Sequence, residues 1–97
     1  MPPDMPKPRI VITYCTQCNW LLRSAWMAQE LLATFAQDVG SVTLTPDATG
    51  GVFEIRLDGE TIWSRVDRGR FPEMREIKQS VRDRILPGRS LGHSDAP

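Results

Sequence analysis

Cys15 and Cys18 are the only cysteines in the chain, and Thr16 and Gln17 separate them. Two sulfurs at this spacing close one small ring, so the pair can cycle between dithiol and disulfide by thiolate attack. A Cys-x-x-Cys is also half of a zinc site, yet tetrahedral zinc takes four ligands. The only histidine, His93, lies in a Pro/Gly/Ser-rich stretch, so zinc would have to be shared between two chains. A purely structural disulfide across so short a loop removes little chain entropy. Thiol–disulfide chemistry is the reading these residue types favour.

The neighbouring residues place the pair. Arg9-Ile10-Val11-Ile12-Thr13-Tyr14 is β-branched and aromatic and predicts an interior strand. After the cysteines, Leu21, Ala25, Ala28, Leu32 and Phe35 recur on one helical face, predicting a helix over about 19–36 with Gly40 closing it. Trp20, Trp26, Met27 and Leu31 lie off that face, so the helix is expected to be buried on two sides. The sulfurs then fall in the turn feeding a helix, whose unpaired N–H groups and dipole favour a thiolate.

Further along, 41–45 alternates as a second strand and Pro46 to Gly51 ends it. Strand, helix, strand in this order implies a parallel pair with a right-handed crossover. Phe53, Ile55 and Leu57 alternate with charged residues up to Asp58-Gly59, a strong hairpin turn, and 60–65 returns. A regular register pairs Leu57 with Glu60, Ile55 with Ile62 and Glu54 with Trp63, sending Trp63 to the face opposite Ile55. A charged loop over 66–70 follows. Pro72-Glu73 then starts a helix whose stripe is Met74, Ile77, Val81 and Ile85, and Pro87-Gly88 stops it.

These elements predict an α/β chain of the α+β sandwich type: strand-helix-strand-strand-strand-helix, a four-stranded mixed sheet with both helices on one face. Residues 1–8 read as a disordered arm, 9–87 as one domain and 88–97 as a flexible tail. The other sheet face would carry Val52 and Trp63, an apolar patch suited to a homodimer or a partner. Twelve basic residues balance twelve acidic ones, so no net field recruits nucleic acid or membrane. No apolar run approaches a transmembrane length and residues 1–8 do not read as a secretory signal, so a cytoplasmic location is expected. In a reducing compartment a cysteine pair is more often catalytic than structural.

The residues together resemble the selenoprotein W group and its cysteine-only bacterial members, the Rdx family. The markers are Tyr14 with the Cys-x-x-Cys, Gly51-Val52-Phe53-Glu54-Ile55, the Gly59 hairpin with Trp63-Ser64-Arg65, and Gly69-Arg70-Phe71-Pro72. They span about residues 9–86. The resemblance implies a thioredoxin-like fold lacking the usual middle helix and a redox-active pair with no cofactor. Gly50-Gly51 stands where thioredoxins carry a cis-proline, and Cys18 matches the selenocysteine of selenoprotein W. Ordinary thioredoxins attack through the first cysteine, so the attacking sulfur stays open.

In that fold the loops 15–20, 48–52 and 66–71 wall the site. Cys15 and Cys18 carry the chemistry. Thr16, Gln17, Trp20, Gly50, Gly51, Arg68 and Arg70 line it, the glycines admitting a partner's backbone and the arginines an acidic partner or a thiolate. The expected partners are protein disulfides or glutathione-type thiols. A rival reading is a redox-sensitive binding module with little turnover, and a zinc-bridged dimer is a third.

Overall fold

The computed structural model describes residues 6–95, so the first five residues of the expected disordered arm and the last two of the expected tail lie outside it. Four strands form one sheet: β1 (Arg9–Cys15), β2 (Ser41–Asp47), β3 (Phe53–Leu57) and β4 (Glu60–Ser64). The order is β2-β1-β3-β4, with β1 parallel to β2 and antiparallel to β3. Three helices complete the domain: α1 (Leu21–Thr34), the single turn α2 (Arg65–Arg68) and α3 (Met74–Ile85). The four-stranded mixed sheet and the element order agree with the sequence pattern. The stretch 66–70, expected as loop, begins as α2 because Ser64 caps it and Gly69 ends it at φ 77°.

The core follows from strand alternation. Ile10, Ile12 and Tyr14 of β1 share one buried cluster with Phe53, Ile55 and Leu57 of β3, with Met27 and Leu31 of α1, and with Ile77 and Val81 of α3. The intervening strand residues Val11, Thr13, Glu54 and Arg56 emerge on the opposite side, where Arg56 pairs with Glu54.

Trp63 is not on that opposite side. Leu57 pairs with Glu60 as expected and Arg56 with Thr61, but Ile55 pairs with Trp63, so Ile62 is an extra residue in β4. This bulge re-aims the strand and turns both Ile62 and Trp63 inward. Trp63 is only 4% exposed, and its indole N–H donates to the Arg70 carbonyl at 3.1 Å. The apolar patch of Val52 and Trp63 therefore does not exist, and the ground for a homodimer through that face goes with it.

The phase of α1 also differs from expectation. Its buried side is Ser24, Met27, Ala28 and Leu31, continued by Phe35. Leu21, Leu22, Trp26 and Leu32 face outward, Leu22 being 81% exposed, so the helix is buried on one side only. Ser24 fits the buried side because its hydroxyl donates to the Trp20 carbonyl at 2.9 Å. Gly40 does not close the helix, which ends at Thr34. It lies where residues 7 and 8 cross: its N–H donates to the Pro8 carbonyl, and a Cβ there would meet the Lys7 carbonyl oxygen at 3.1 Å.

Glu73 and Glu76 form a capping box at the start of α3, each carboxylate accepting from the other residue's backbone N–H. Arg70 donates to both Glu76 oxygens at 2.8 Å, and with the Glu73 N–H this lowers the Glu76 carboxyl to about 2. Residues 88–95, expected as a loose tail, include a 3-10 turn (Gly92–Asp95) tied back by Arg82–Asp95 and Arg89–Asp38 ion pairs. Leu91 packs against the core. No helix among the described residues is long and apolar enough to cross a membrane.

Candidate functional site

β1 is an inner strand, and its last residue is Cys15. Its N–H donates to the Val52 carbonyl at 2.8 Å, while Cys15 pairs in register with Asp47 of β2. Held between the ends of two neighbouring strands, Cys15 is 0% exposed. Residues 16–19 then form a turn that brings Cys18 back over the strand end, where it is half-buried. The two sulfurs are bonded, with Cα atoms 5.4 Å apart. Asn19 makes the reversal at φ 59°, a left-handed conformation that asparagine tolerates.

Helix α1 starts three residues beyond Cys18, with Trp20 at the N-cap and no side-chain cap. The pair therefore sits in the approach to the helix rather than inside its first turn. The dipole falls off within that turn, so its pull on Cys18 is weaker than the sequence suggests.

The loop 47–52 crosses the end of β1. The Thr16 N–H and hydroxyl both donate to the Asp47 carbonyl, at 3.0 and 3.3 Å, and the Gln17 side-chain amide donates to the Ala48 carbonyl at 2.7 Å. Thr16 and Gln17, expected to meet substrate, thus also fasten the Cys-x-x-Cys turn to this loop. The Thr49 N–H donates to the Asp47 carboxylate and holds it below the usual carboxylate range. Gly50 lies beside the Gln17 amide, and Gly51, at φ 81°, lies beside Arg65.

The arginines are arranged differently from the expectation. Arg68 and Arg70 both lie over the Trp63 ring, 4.6 and 4.9 Å from its centroid, and Arg70 is taken up by Glu76. Arg68 lines a cleft with Ile62, Trp63, Glu76 and residues of α3, in which no cysteine takes part. The structure does not bring these two arginines to the disulfide.

A different cation, Arg65, lies against Trp20, two residues beyond Cys18. Its guanidinium lies 4.9 Å from the Trp20 ring centroid and 5.2 Å from that of Phe71, and a Cβ on Gly51 would approach its Nη1 to 4.0 Å. Its Nε–H is sealed from solvent with no hydrogen-bond acceptor among the described residues. Arg23 of α1 sits 4.0 Å from the Phe71 centroid. Trp20 meets Phe71 edge-on at 4.7 Å, and Phe71 meets Phe53 at 5.1 Å, so the aromatic cluster is anchored in the core. Sequence pattern alone does not single out Arg23, Arg65 or Phe71 as lining the site. Arg65 and Phe71 do stand within the motifs Trp63-Ser64-Arg65 and Gly69-Arg70-Phe71-Pro72, and that was the available signal.

Among the described residues no group of three or more His, Cys, Asp or Glu side chains could hold a metal ion.

Comparison with known proteins bears on the family and the fold. The model of the Rdx family matches residues 9–83. A crystal structure of a protein from Bordetella parapertussis is 58% identical, with a TM-score of 0.79, covering 81% of this chain and 99% of that one. That of a selenoprotein W-related protein from Vibrio cholerae is 56% identical, with a TM-score of 0.77, covering 79% of this chain and 95% of that one. No curated protein matches. With most of its length matched by the family model and a thioredoxin-like sheet carrying a Cys-x-x-Cys at the end of its first strand, the chain belongs to the selenoprotein W-related Rdx family.

Proposed function

We propose that the protein is a thiol–disulfide oxidoreductase in which Cys18 attacks and Cys15 resolves. The observation that carries this reading is the difference in exposure: Cys15 is fully buried while Cys18 is accessible in the turn. A bulky disulfide reaches Cys18 first. Its thiolate attacks one sulfur of the substrate disulfide, forming a mixed disulfide and expelling the other sulfur as a thiolate. Cys15, once deprotonated, attacks the Cys18 sulfur, closes the Cys15–Cys18 bond and releases the second substrate thiolate. Two electrons pass from the dithiol to the substrate, and an external thiol reductant returns them. Protein disulfides or glutathione-type disulfides in a reducing compartment such as the cytoplasm are the substrates this chemistry fits.

The test is a pair of trapping variants. Cys15→Ser should accumulate a mixed disulfide through Cys18 on exposure to glutathione disulfide, read by intact mass. Cys18→Ser should trap little. Equal trapping by both, or trapping mainly by Cys15, would refute the assignment.

A second reading, redox control of a binding surface, is favoured by one observation. Leu21, Leu22 and Trp26 present apolar area to solvent immediately after the cysteine turn. Steady-state disulfide reduction at a negligible rate would favour that reading.

A further inference from the structure

Among the described residues, Arg70, Arg75, Arg82, Arg84, Arg89 and Lys78 each pair with a carboxylate. Lys7, Arg9, Arg23, Arg65 and Arg68 have no such ion pair among the described residues, and of these Arg23 and Arg65 share a single aromatic ring, that of Phe71. Two positive charges on one ring, neither neutralised by a carboxylate among the described residues, favour the approach of an anion. A guanidinium held against an aromatic ring can still donate N–H bonds to a carboxylate from the groups that the ring does not cover. Arg65 is held especially firmly. Trp20 and Phe71 lie against it, the bare backbone of Gly51 lies beside its Nη1, and its Nε–H has been closed off from water without an acceptor. An anion held near the guanidinium would offset part of the cost of burying this charge, without itself reaching the Nε–H. The position of this cluster is as telling as its charge. Trp20 is two residues from Cys18, and Gly51 adjoins Val52, whose carbonyl holds Cys15.

We infer that Arg23 and Arg65, carried on the Trp20–Phe71 cluster, form a carboxylate-binding subsite beside the Cys15–Cys18 pair. It rests on the redox reading above for its biological use and selects disulfides that carry a carboxylate near the reacting sulfur. A peptide thiol such as glutathione supplies that group at its termini, and a protein disulfide supplies it from a flanking Asp or Glu.

Binding is tested first without any redox step. S-methylglutathione cannot exchange, so it is titrated into the oxidised protein and followed by amide and indole NMR shifts. The expected result is movement of the Trp20 indole signal. Affinity should fall at least fivefold in Arg65→Gln and in Arg23→Gln, with partial retention in Arg65→Lys. Arg23 lies on the exposed side of α1, so its variant keeps the test alive should Arg65→Gln fail to fold. Esterifying both carboxylates should weaken binding to the same extent. A cysteine peptide flanked by Glu, S-methylated, binding more tightly than its Lys-flanked counterpart would assign a protein source, and tighter binding of S-methylglutathione a small-molecule one. Unchanged affinity in both glutamine variants overturns the inference, as does equal binding of the diester. Inorganic phosphate competing as well as the carboxylate ligand would overturn the carboxylate selectivity.

A kinetic arm separates this inference from the redox reading. The reduced protein should lose at least fivefold in its rate with glutathione disulfide in Arg65→Gln, while its rate with neutral bis(2-hydroxyethyl) disulfide stays within twofold. Absence of reaction with either disulfide would sink the oxidoreductase reading, and the binding arm would still decide the subsite. A parallel fall in both rates would place Arg65 at the thiolate or in folding instead, and overturns the subsite.

Discussion

Replacing Trp63 separates the bulged register from the regular one. In the regular register a charged residue at position 63 would sit in water and leave the domain folded. In the observed register the indole is 4% exposed, in the cluster with Ile55 and Ile62, and its N–H is satisfied by Arg70. A tryptophan side chain buries roughly 150–250 Å². At about 25 cal/mol per Å² that is about 4–6 kcal/mol, an upper bound that a compact unfolded chain reduces to about 3–5. Truncations of large aromatics in cores cost about the same. Trp63→Ala should therefore lose about 4 kcal/mol. Trp63→Phe keeps most of the apolar area but forfeits the hydrogen bond to Arg70 and should lose about 1–2 kcal/mol.

Trp63→Glu adds the cost of placing a carboxylate among apolar side chains, several kcal/mol more. Domains of this size are stable by roughly 5–15 kcal/mol, so this variant should be largely unfolded or survive only with its carboxyl protonated. Urea titration by far-UV circular dichroism reads all three. With a slope of about 1–1.5 kcal/mol per molar, the alanine midpoint should drop by roughly 3 M. A loss below about 1 kcal/mol for Trp63→Ala, or a Trp63→Glu protein as stable as its parent, would refute the bulged register.

Three further outcomes are expected. In reduced single-cysteine variants, Cys18 should be alkylated at least about thirtyfold faster than Cys15, each rate normalised to its own denatured control. Reaching Cys15 breaks at least the Cys15–Val52 and Thr16–Asp47 backbone bonds, about 2 kcal/mol together, and comparable rates would contradict its burial. Leu22→Ser should change stability by less than about 0.5 kcal/mol whereas Leu31→Ala costs about 2–5, since α1 turns the first to water and the second to the core; urea midpoints decide. Because Glu76 titrates lower in the folded protein than in the unfolded chain, its contribution is intact above about pH 4.5 and is lost as the pH falls toward about 2. Glu76→Gln should flatten that part of the stability profile, and an unchanged acid limb would show that the Arg70 pair contributes nothing there.

Much of this fold was written in the local pattern. The parallel pair, the hairpin at Asp58-Gly59 and the stripe of α3 each follow from periodicity and turn chemistry, and the structure reproduces them. Two features escaped for physical reasons. Ile62 and Trp63 are consecutive apolar residues, so strand alternation permits either to pair with Ile55. The bulge settles it by burying both, a choice that depends on core volume and leaves no glycine to mark it. In α1 the apolar residues lie nearly all round, and a pattern without a polar face has no phase. The buried side includes Ser24, which satisfies itself against the preceding turn and so passes for a surface residue in the sequence.

The Cys-x-x-Cys turn at the end of β1 was legible in the sequence and the surroundings of the arginines were not, and the topology explains both. Because β1 has a strand on each side, the residue at its carboxyl end is covered from both, and Cys15 is tied to the crossing loop through Val52. Any sulfur that follows in the turn must then be the more accessible one. The order of exposure, buried first and open second, is a consequence of placing the motif at the end of an inner strand and delaying the helix until Leu21. The charges follow a longer-range rule. Counting basic residues in the stretch after β4 selects Arg68 and Arg70, but the turn of α2 carries those two to Trp63 and Glu76. It leaves Arg65, the first residue after the strand, against Trp20 and beside Gly51. Arg65 directly follows β4, and since β3 pairs antiparallel with both β1 and β4, the end of β4 lies at the same end of the sheet as the end of β1, where the cysteines begin.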